Sequence, residues 1–310
     1  MRKLLALLLI LATLIPGAVI AEAPAEEVPA EAPALTLPWD LSPGFVPNPD
    51  GYTTDESGER IAYQDETVTV TVERVVVGDS TFNVARIKIA HASQLRTGLA
   101  NEKGTRTNKI STMAANHNAI VAIGGDYFSD AKNGYVVRMG NVYRKSPKSV
   151  YDMLLIDDQG NFHIILESNP EELKALLESG LTFPNAFHFG PALIKDGELL
   201  PSPQYYVDNG NRYNTRRAEP RCAIGQLGPL EYMFVVVDGT RKGNSRGGVT
   251  TAELGAWMHE QGCVQAYNLD GGNSALMWFG GANYSDKTVK GERSVSDIIY
   301  IATAVPSEEE

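Results

Sequence analysis

Two glycine-rich corners, each placed after an apolar run and each carrying an aspartate, constrain the fold of this chain most strongly. The first follows Ile120–Ile123 and reads Gly124-Gly125-Asp126. The second follows Val264–Tyr267, which is typical of a buried strand, and it spans Asn268–Ser274, where one aspartate precedes two glycines. Glycine tolerates positive φ and lets the backbone approach a ligand closely. The pattern therefore predicts one site built from backbone amides and carboxylates of both corners.

The rest of the chain alternates strand pairs with single helices. β-Branched residues on either side of a Gly-Asp turn predict a hairpin over 66–91, and a second hairpin is predicted over 151–166. A third strand pair is predicted over 221–238, with a break at 225–229. Helices are predicted at 110–117, 170–180 and 251–261, and closing strands at 274–279 and 298–305. This mixture predicts an α+β fold with a mixed, largely antiparallel β-sheet core and a few flanking helices, and not a regular βαβ array.

The N-terminus has the pattern of a secretory signal peptide. Basic residues 2–3 precede the apolar run Leu4–Leu14, and small residues ending at Ala21 form a cleavage site. A retained anchor is the alternative, although the apolar run is short for a membrane span. Residues 22–34 form an acidic Pro/Ala linker and 306–310 an acidic tail, so the predicted domain is 35–305. We expect a secreted or extracytoplasmic (cell envelope) protein with no stable membrane span after signal cleavage.

Charge and cysteine content limit the partners. The net charge of -11 does not provide the basic surface that nucleic acid requires, so we expect no nucleic-acid partner. Cys222 and Cys263 are the two cysteines, and no Cys-His cluster has zinc spacing. An exported protein permits a disulfide between them, but two buried thiols fit the sequence equally well.

Six short motifs occur along the predicted domain. They lie at Gly124–Phe128, Pro220–Gly225, Val237–Gly239, Gly248–Leu254, Asn268–Ser274 and Glu292–Ser296. In this order, over roughly His91 to Ala304, they resemble the phosphodiester glycosidase family. The chain departs from many members at Asn273, where they have a third glycine, and at Asp126, where they have an asparagine.

This resemblance implies hydrolysis of a glycosyl-1-phosphodiester bond in a glycan, glycolipid or polymer. Cleavage at an anomeric carbon passes through an oxocarbenium-like state, which a carboxylate stabilises. The phosphate leaves as an anion, so holding it matters more than protonating it, and arginine forks and backbone amides suit that task. The candidate catalytic residues are Asp270 and Asp126. The candidate substrate-binding residues are Arg221, Arg217, Arg293, Gly124, Gly125, Asn268, Gly271, Gly272 and Ser274.

Several alternatives remain open at the level of sequence. Asp270 and Asp238 both stand in Asp-Gly pairs, which are common in ordinary turns. Asp238 is also a candidate metal ligand; the sequence requires no cofactor, but its hard oxygen ligands are compatible with a divalent cation such as calcium. Glu253 is excluded from the site, because Thr250 and Glu253 form a capping box. The alternative functions are a non-catalytic envelope glycan-binding module and a phosphodiesterase that cleaves the P–O bond.

Overall fold

The computed structural model describes residues 35–126, 134–146, 149–202, 205–208, 211–239, 247–285 and 291–307, with backbone only for 205–208, 211–214 and Gly239. These residues belong to one unit of the chain, Ala34–Glu310. The predicted signal peptide, the linker and the last three residues of the predicted tail lie outside the described residues. Within the described ranges, no helix combines the length and the apolar character needed to cross a membrane.

The described elements are mostly strands. In chain order they are β1 (Tyr52–Thr54), β2 (Arg60–Gln64), β3 (Val68–Val77), β4 (Ser80–Ile89), β5 (Leu95–Leu99), β6 (Asn108–Lys109), β7 (Val121–Gly124), β8 (Gly134–Arg138), β9 (Asn141–Ser146), β10 (Asp152–Ile156), β11 (Phe162–Ile165), β12 (Asn185–Phe189), β13 (Ala192–Lys195), β14 (Glu198–Leu199), β15 (Tyr205–Asp208), β16 (Asn211–Asn214), β17 (Arg221–Gly228), β18 (Glu231–Gly239), β19 (Gln265–Leu269), β20 (Met277–Phe279), β21 (Ala282–Asn283), β22 (Ser294–Val295) and β23 (Asp297–Ile301). The helices are α1 (Ile110–Asn116), α2 (Pro170–Leu177) and α3 (Thr251–Glu260).

The strands form three main sheets. Sheet I has nine strands in the order β1-β2-β3-β4-β18-β17-β19-β13-β14. Sheet II has the order β11-β10-β12-β8-β9, and sheet III has the order β21-β20-β7-β23-β5. The pairs β15-β16 and β22-β6 form two-stranded sheets. Every pairing within and between the described strands is antiparallel. The predicted α+β class with a largely antiparallel core is therefore confirmed.

The largest hydrophobic core joins all three sheets. Ile224 from sheet I, Phe187 from sheet II and Ile123 from sheet III are fully buried in it. Each helix covers another sheet face: α1 packs on sheet III, α2 on sheet II and α3 on sheet I. Burying both faces of a strand removes the usual polar alternation, which explains runs such as β10 and β18 that are apolar along almost their whole length.

Local sequence signals explain most element boundaries. The β3–β4 hairpin pairs Val77 with Ser80 around the predicted Gly-Asp turn. Asn169 accepts hydrogen bonds from the first backbone amides of α2, and Pro170 occupies its first turn. The predicted Thr250–Glu253 capping box is present at the start of α3.

The predicted break at 225–229 begins too early. β17 continues through Gly225, which pairs with Met233 of β18 and Ala266 of β19. A side chain at Gly225 would meet the Cys263 sulfur and Met258. This glycine therefore marks close packing of α3 and its following segment against a continuous strand, and the chain turns instead at 229–230.

The two cysteines are free buried thiols. Cys222 belongs to the core that joins the three sheets, whereas Cys263 belongs to the core beneath α3. These cores lie on opposite faces of sheet I, so the sheet itself separates the two sulfur atoms.

Candidate functional site

The two glycine corners are in direct contact. The Asp270 backbone N–H donates to the Gly125 carbonyl at 3.1 Å. The Cys222 thiol also donates to the Gly124 carbonyl at 3.6 Å. Strand β7 of sheet III ends at Gly124, and strand β19 of sheet I ends at Leu269. The bond between Asp270 and Gly125 therefore connects the C-terminal ends of these two strands. Asp126 and Asp270 thus emerge beside each other, although they lie far apart in the sequence.

Close approach explains why the corners carry glycine. A Cβ at Gly125 would overlap the carboxylate of Asp297. A Cβ at Gly271 would lie 2.7 Å from the Pro220 carbonyl oxygen, and the same oxygen accepts the Gly272 N–H at 2.7 Å. Gly272 has a φ of +60°, a conformation that side chains disfavour. The glycines therefore shape the corner by allowing backbone and carboxylate to pack against them.

Asp270 is the partly exposed carboxylate at this junction. Burial raises its pKa to about 6, against the opposing effects of a hydrogen bond from Ser274 and the positive charge of Arg293. The negative charge of Asp126 raises the pKa further. Arg293 Nη1 donates to Ser274 Oγ at 3.3 Å. Ser274 thus connects the carboxylate to the arginine, which places all three predicted residues in one group.

Asp126 is buried beneath this group, with only 3% of its surface exposed. Its Oδ1 accepts from Arg138 Nη2 at 2.7 Å, and its Oδ2 accepts the His188 backbone N–H at 2.9 Å. Arg138 Nε donates at 2.8 Å to Asp297 Oδ2, and the side chains of Arg138 and both aspartates are fully buried. One guanidinium is therefore shared by two carboxylates in a region of low dielectric.

Asp297 is the member of this buried triad whose carboxylate is least compensated by hydrogen bonds. Burial raises the pKa of Asp297, the neighbouring Arg138 opposes the rise, and the charge of Asp126 adds to it. Its Oδ1 has no hydrogen-bond partner among the described residues. Two carboxylates that share one cation cannot both ionise freely, so a proton is retained on the Asp297 side of the triad at mildly acidic pH.

The three predicted arginines occupy different environments. Arg221 is largely buried and donates to the carbonyls of Val249 at 3.0 Å and Arg217 at 2.7 Å, so it supports the backbone of the segments that precede α3 and β17. The Arg217 side chain is 51% exposed, and its Nε lies 3.5 Å from Glu219 Oε1. Arg293 is exposed and contacts the Asp270 group. Of the three, Arg293 has the contacts expected of an anion-binding residue.

Glu292 holds the segment that carries Arg293. Its Oε1 accepts the Ser111 N–H and its Oε2 accepts the Ser111 hydroxyl, each at 2.7 Å. Ser111 lies in the first turn of α1, which packs on sheet III. The short β22–β6 pairing adds a backbone connection next to it. These contacts fix the position of Arg293 relative to the first corner.

Asn268 and Asp238 lie close to strand ends but have structural partners. Asn268 Nδ2 donates to the Gly190 carbonyl at 2.8 Å, and its Oδ1 has no partner in the part of the chain that is described. Asp238 Oδ2 accepts from Asn83 Nδ2 at 2.6 Å. Within the described ranges, no three His, Cys, Asp or Glu side chains form a group suited to a metal ion. A cation at Asp238 stays a hypothesis.

Sequence reasoning missed Arg138, His188 and Asp297. His188 is 2% exposed, follows an apolar stretch of β12 and binds Asp126 through its backbone. Each of the three is a titratable residue within a buried strand, where an unpaired charge is costly. A titratable residue in an apolar strand was therefore the available signal, but the partners that compensate the charge lie on other strands.

A model of the phosphodiester glycosidase family matches residues 117–302 of this 310-residue chain. The chain belongs to the phosphodiester glycosidase family. Both corners and the buried triad lie inside the matched range, so the site described above is part of the family domain. A search of curated proteins finds no significant match.

Two solved structures share the fold of this family member. The zebrafish N-acetylglucosamine-1-phosphodiester α-N-acetylglucosaminidase catalytic domain, auto-inhibited by its pro-peptide, aligns with a TM-score of 0.57 and 15% identity, over 81% of this chain and 87% of that one. A hypothetical protein from Synechocystis aligns with a TM-score of 0.54 and 16% identity, over 76% of this chain and 62% of that one. Identities this low establish a shared fold and leave the substrate to be argued from the site.

Proposed function

We propose that this chain is a secreted or envelope hydrolase that cleaves the bond between a sugar anomeric carbon and a phosphodiester. The substrate is a glycan, glycolipid or polymer that carries a glycosyl-1-phosphodiester. The observation that supports this most directly is the group formed by Asp270, Ser274 and Arg293 at the contact between the two corners. It combines a partly exposed carboxylate with a cation, as a sugar phosphate requires.

Asp270 is assigned to the anomeric carbon. It is ionised above about pH 6, and its negative charge can stabilise the oxocarbenium-like transition state either by direct attack or by activating water. Ser274 donates to this carboxylate and thereby fixes its orientation. A preorganised charge in a partly buried position stabilises a transition state more than the same charge in water does.

Arg293 is assigned to the departing phosphate. It contacts the Asp270 group through Ser274, and its exposed guanidinium offers a planar set of donors to phosphate oxygens. The phosphate departs as an anion, so the arginine lowers the barrier by stabilising charge and no proton donor is needed at that oxygen. Glu292 and Ser111 act as positioning residues for this arginine.

Asp126 is assigned a supporting role at the same centre. Both of its oxygens accept hydrogen bonds, from Arg138 and from the His188 backbone, and the carboxylate is nearly inaccessible. Its charge raises the pKa of Asp270. Asp126 therefore tunes the reacting carboxylate and fixes the first corner, while Gly125 supplies the backbone contact.

The principal test compares Asp270→Asn with Asp158→Asn, a matched change in the β10–β11 turn. Both variants are assayed on an α-N-acetylglucosamine-1-phosphodiester and on p-nitrophenyl sugar phosphates, with and without EDTA. We expect Asp270→Asn to lose ~10²–10⁴ in kcat/KM, the usual contribution of a positioned acid–base group, and Asp158→Asn to keep full activity. EDTA-sensitive turnover would support the calcium hypothesis.

Stability separates loss of chemistry from loss of folding. The folded protein binds the Asp270 proton more tightly than the unfolded chain does, since its pKa is raised from 3.8 to about 6. The contribution of Asp270 to the free energy of unfolding is therefore most favourable below pH 3.8 and is lost as the pH rises through about 6. Asp270→Asn should raise the free energy of unfolding at neutral pH by up to about 3 kcal/mol. An inactive variant that is also less stable would leave misfolding as the explanation.

Hydrolysis in ¹⁸O-labelled water distinguishes the proposal from its rivals. Attack at the anomeric carbon puts the label in the sugar and none in the phosphomonoester. Label in the phosphate would identify a P–O-cleaving phosphodiesterase. Binding of the sugar phosphates without turnover in the wild-type protein would identify a glycan-binding module.

Export is tested separately from chemistry. The signal-peptide pattern predicts that the exported protein begins at Glu22, after cleavage behind Ala21. N-terminal sequencing of protein recovered from the extracytoplasmic fraction checks this. A mature chain that still begins at Met1 in a membrane fraction would support the retained anchor.

A further inference from the structure

His188 is a buried histidine whose ring has no hydrogen-bond partner in the part of the chain that the structure describes. Neither Nδ1 nor Nε2 finds one within the described residues, although the side chain is almost completely buried. Buried polar atoms are nearly always paired, because leaving them unpaired costs more than a hydrogen bond gains. Two unpaired nitrogens on one ring beside the proposed reaction centre leave hydrogen-bonding capacity that a bound molecule can satisfy.

The fold holds this ring in a defined position. His188 lies on β12 and pairs with Met153 of β10 in the middle of sheet II. Gly134 makes room for the ring, since a Cβ at that residue would overlap the imidazole. The Tyr151 ring packs against it edge-on, with centroids 5.4 Å apart. A binding group that is fixed before the ligand arrives loses little entropy on binding.

His188 is also tied to the proposed reaction centre. Its backbone N–H binds Asp126 Oδ2, and the residue before Asp126 accepts the Asp270 backbone N–H. Two hydrogen bonds and one peptide unit therefore connect the histidine to the reacting carboxylate. The ring is also close enough to Asp126 and Arg144 to feel both charges.

The ring is neutral at physiological pH. Burial lowers the pKa of His188 to about 4, Asp126 opposes the shift and Arg144 adds to it. A neutral imidazole has one N–H donor and one acceptor nitrogen. Phosphate oxygens of a diester only accept hydrogen bonds, so they cannot use the acceptor. A sugar hydroxyl or an acylamino group can use both kinds of partner.

We propose that His188 is a substrate-binding residue that hydrogen-bonds a neutral polar group of the sugar, a ring hydroxyl or an acylamino substituent, while Arg293 binds the phosphate. This inference rests on the proposed function in one respect, namely that the site accepts sugar phosphates. It assigns sugar recognition to β12 of sheet II and phosphate recognition to the segment immediately before β22, so different elements bind the two halves of the substrate.

The test uses the full chain labelled with ¹⁵N at its five histidines. Ring ¹⁵N resonances are followed by NMR during titration with N-acetyl-α-glucosamine 1-phosphate, α-glucose 1-phosphate and inorganic phosphate. We expect the His188 signals to shift with at least one sugar phosphate and to stay unchanged with inorganic phosphate. The other four histidines serve as internal references, and His188→Phe assigns the signal.

Affinity supplies the second measurement. His188→Phe keeps a planar ring of similar volume but removes both nitrogens, and His163→Phe is the matched control on β11, where the histidine is paired with Asp157 at 2.8 Å. We expect His188→Phe to weaken sugar-phosphate binding by about 10–100-fold, as expected for lost hydrogen bonds in a buried site, with unchanged binding of inorganic phosphate. His163→Phe should change neither affinity.

The outcomes separate this inference from the proposed function. Unchanged His188 signals on saturation with both sugar phosphates, or equal affinity in His188→Phe, would overturn the inference even if Asp270-dependent hydrolysis is observed. Absence of sugar-phosphate binding at millimolar concentration would overturn it as well. Shifted His188 signals without any hydrolysis would uphold sugar recognition and reject the hydrolase.

Discussion

At the scale of single residues, the site is dominated by carboxylates that share too few cations. Asp126 and Asp297 share Arg138, and burial raises the pKa of both Asp297 and Asp270. Ionising each carboxylate makes ionising the next less favourable, because screening by solvent is weak in the interior. The consequence is that the outermost carboxylate, Asp270, changes charge within the pH range in which enzymes are assayed.

The pH dependence of activity follows from this shift. Asp270 is proposed to act as a carboxylate, so kcat/KM should rise as the pH increases through about 6 and then level off. A phosphodiester stays anionic across this range and adds no titration of its own. Steady-state kinetics on a sugar phosphodiester from pH 4.5 to 8 measures the profile. Activity that falls as the pH rises through 6 would mean that Asp270 acts as an acid.

The residue scale also shows where sequence reasoning stops. Asp126, Asp270 and Arg293 were found because glycines and motif order point to them. Arg138, His188 and Asp297 were not, because each looks like a charge misplaced in an apolar strand until its partner on another strand is known. The Arg138–Asp297 ion pair depends on packing between sheets II and III, which local patterns do not encode.

At the scale of elements, local signals predicted hairpins and helices, whereas tertiary contacts decided the rest. The β3–β4 hairpin and the α3 cap follow from turn and capping chemistry within a few residues. Gly225 was misassigned as a break, because a glycine in a strand indicates either a turn or close packing, and only the position of α3 distinguishes the two. The order of strands in sheet I is likewise non-local.

Gly125→Ala tests the importance of close packing at the first corner. The added methyl would overlap the Asp297 carboxylate, so we expect a loss of about 1–3 kcal/mol in the free energy of unfolding and a fall in activity. Gly228→Ala is the matched control, because its Cβ would meet no atom nearer than 3.9 Å. Urea denaturation and kinetics on both variants give the comparison. Full stability in Gly125→Ala would show that the corner tolerates a shifted Asp297.

At the scale of the whole molecule, sheet I separates the chemistry of its two faces. One face contributes to the core that joins the three sheets and contains Cys222, and the other packs against α3 and contains Cys263. Burial raises the pKa of both thiols, which keeps them protonated and unreactive. The sequence is equally compatible with a disulfide and with two buried thiols. The position of the two cysteines on opposite faces of sheet I favours the two thiols.

Reducing agent should therefore have no effect on stability. Thermal unfolding of the native protein with and without dithiothreitol is expected to give the same Tm, because both cysteines are free thiols. The double variant Cys222→Ala/Cys263→Ala serves as a control, because a chain without cysteine has no disulfide for the reductant to break. A lower Tm in dithiothreitol for the native protein alone would reveal a bridge.

The hydrogen bond from Asp270 to Gly125 has a consequence for how activity is acquired. It closes a long loop of chain, and such contacts form only after the entropy of bringing distant segments together has been overcome. Secondary structure can return early during refolding while the pocket is still unassembled. Under the proposed function, turnover therefore requires the complete native topology. A refolding chain that has regained its circular dichroism spectrum but not the proposed activity has not yet formed this long-range contact.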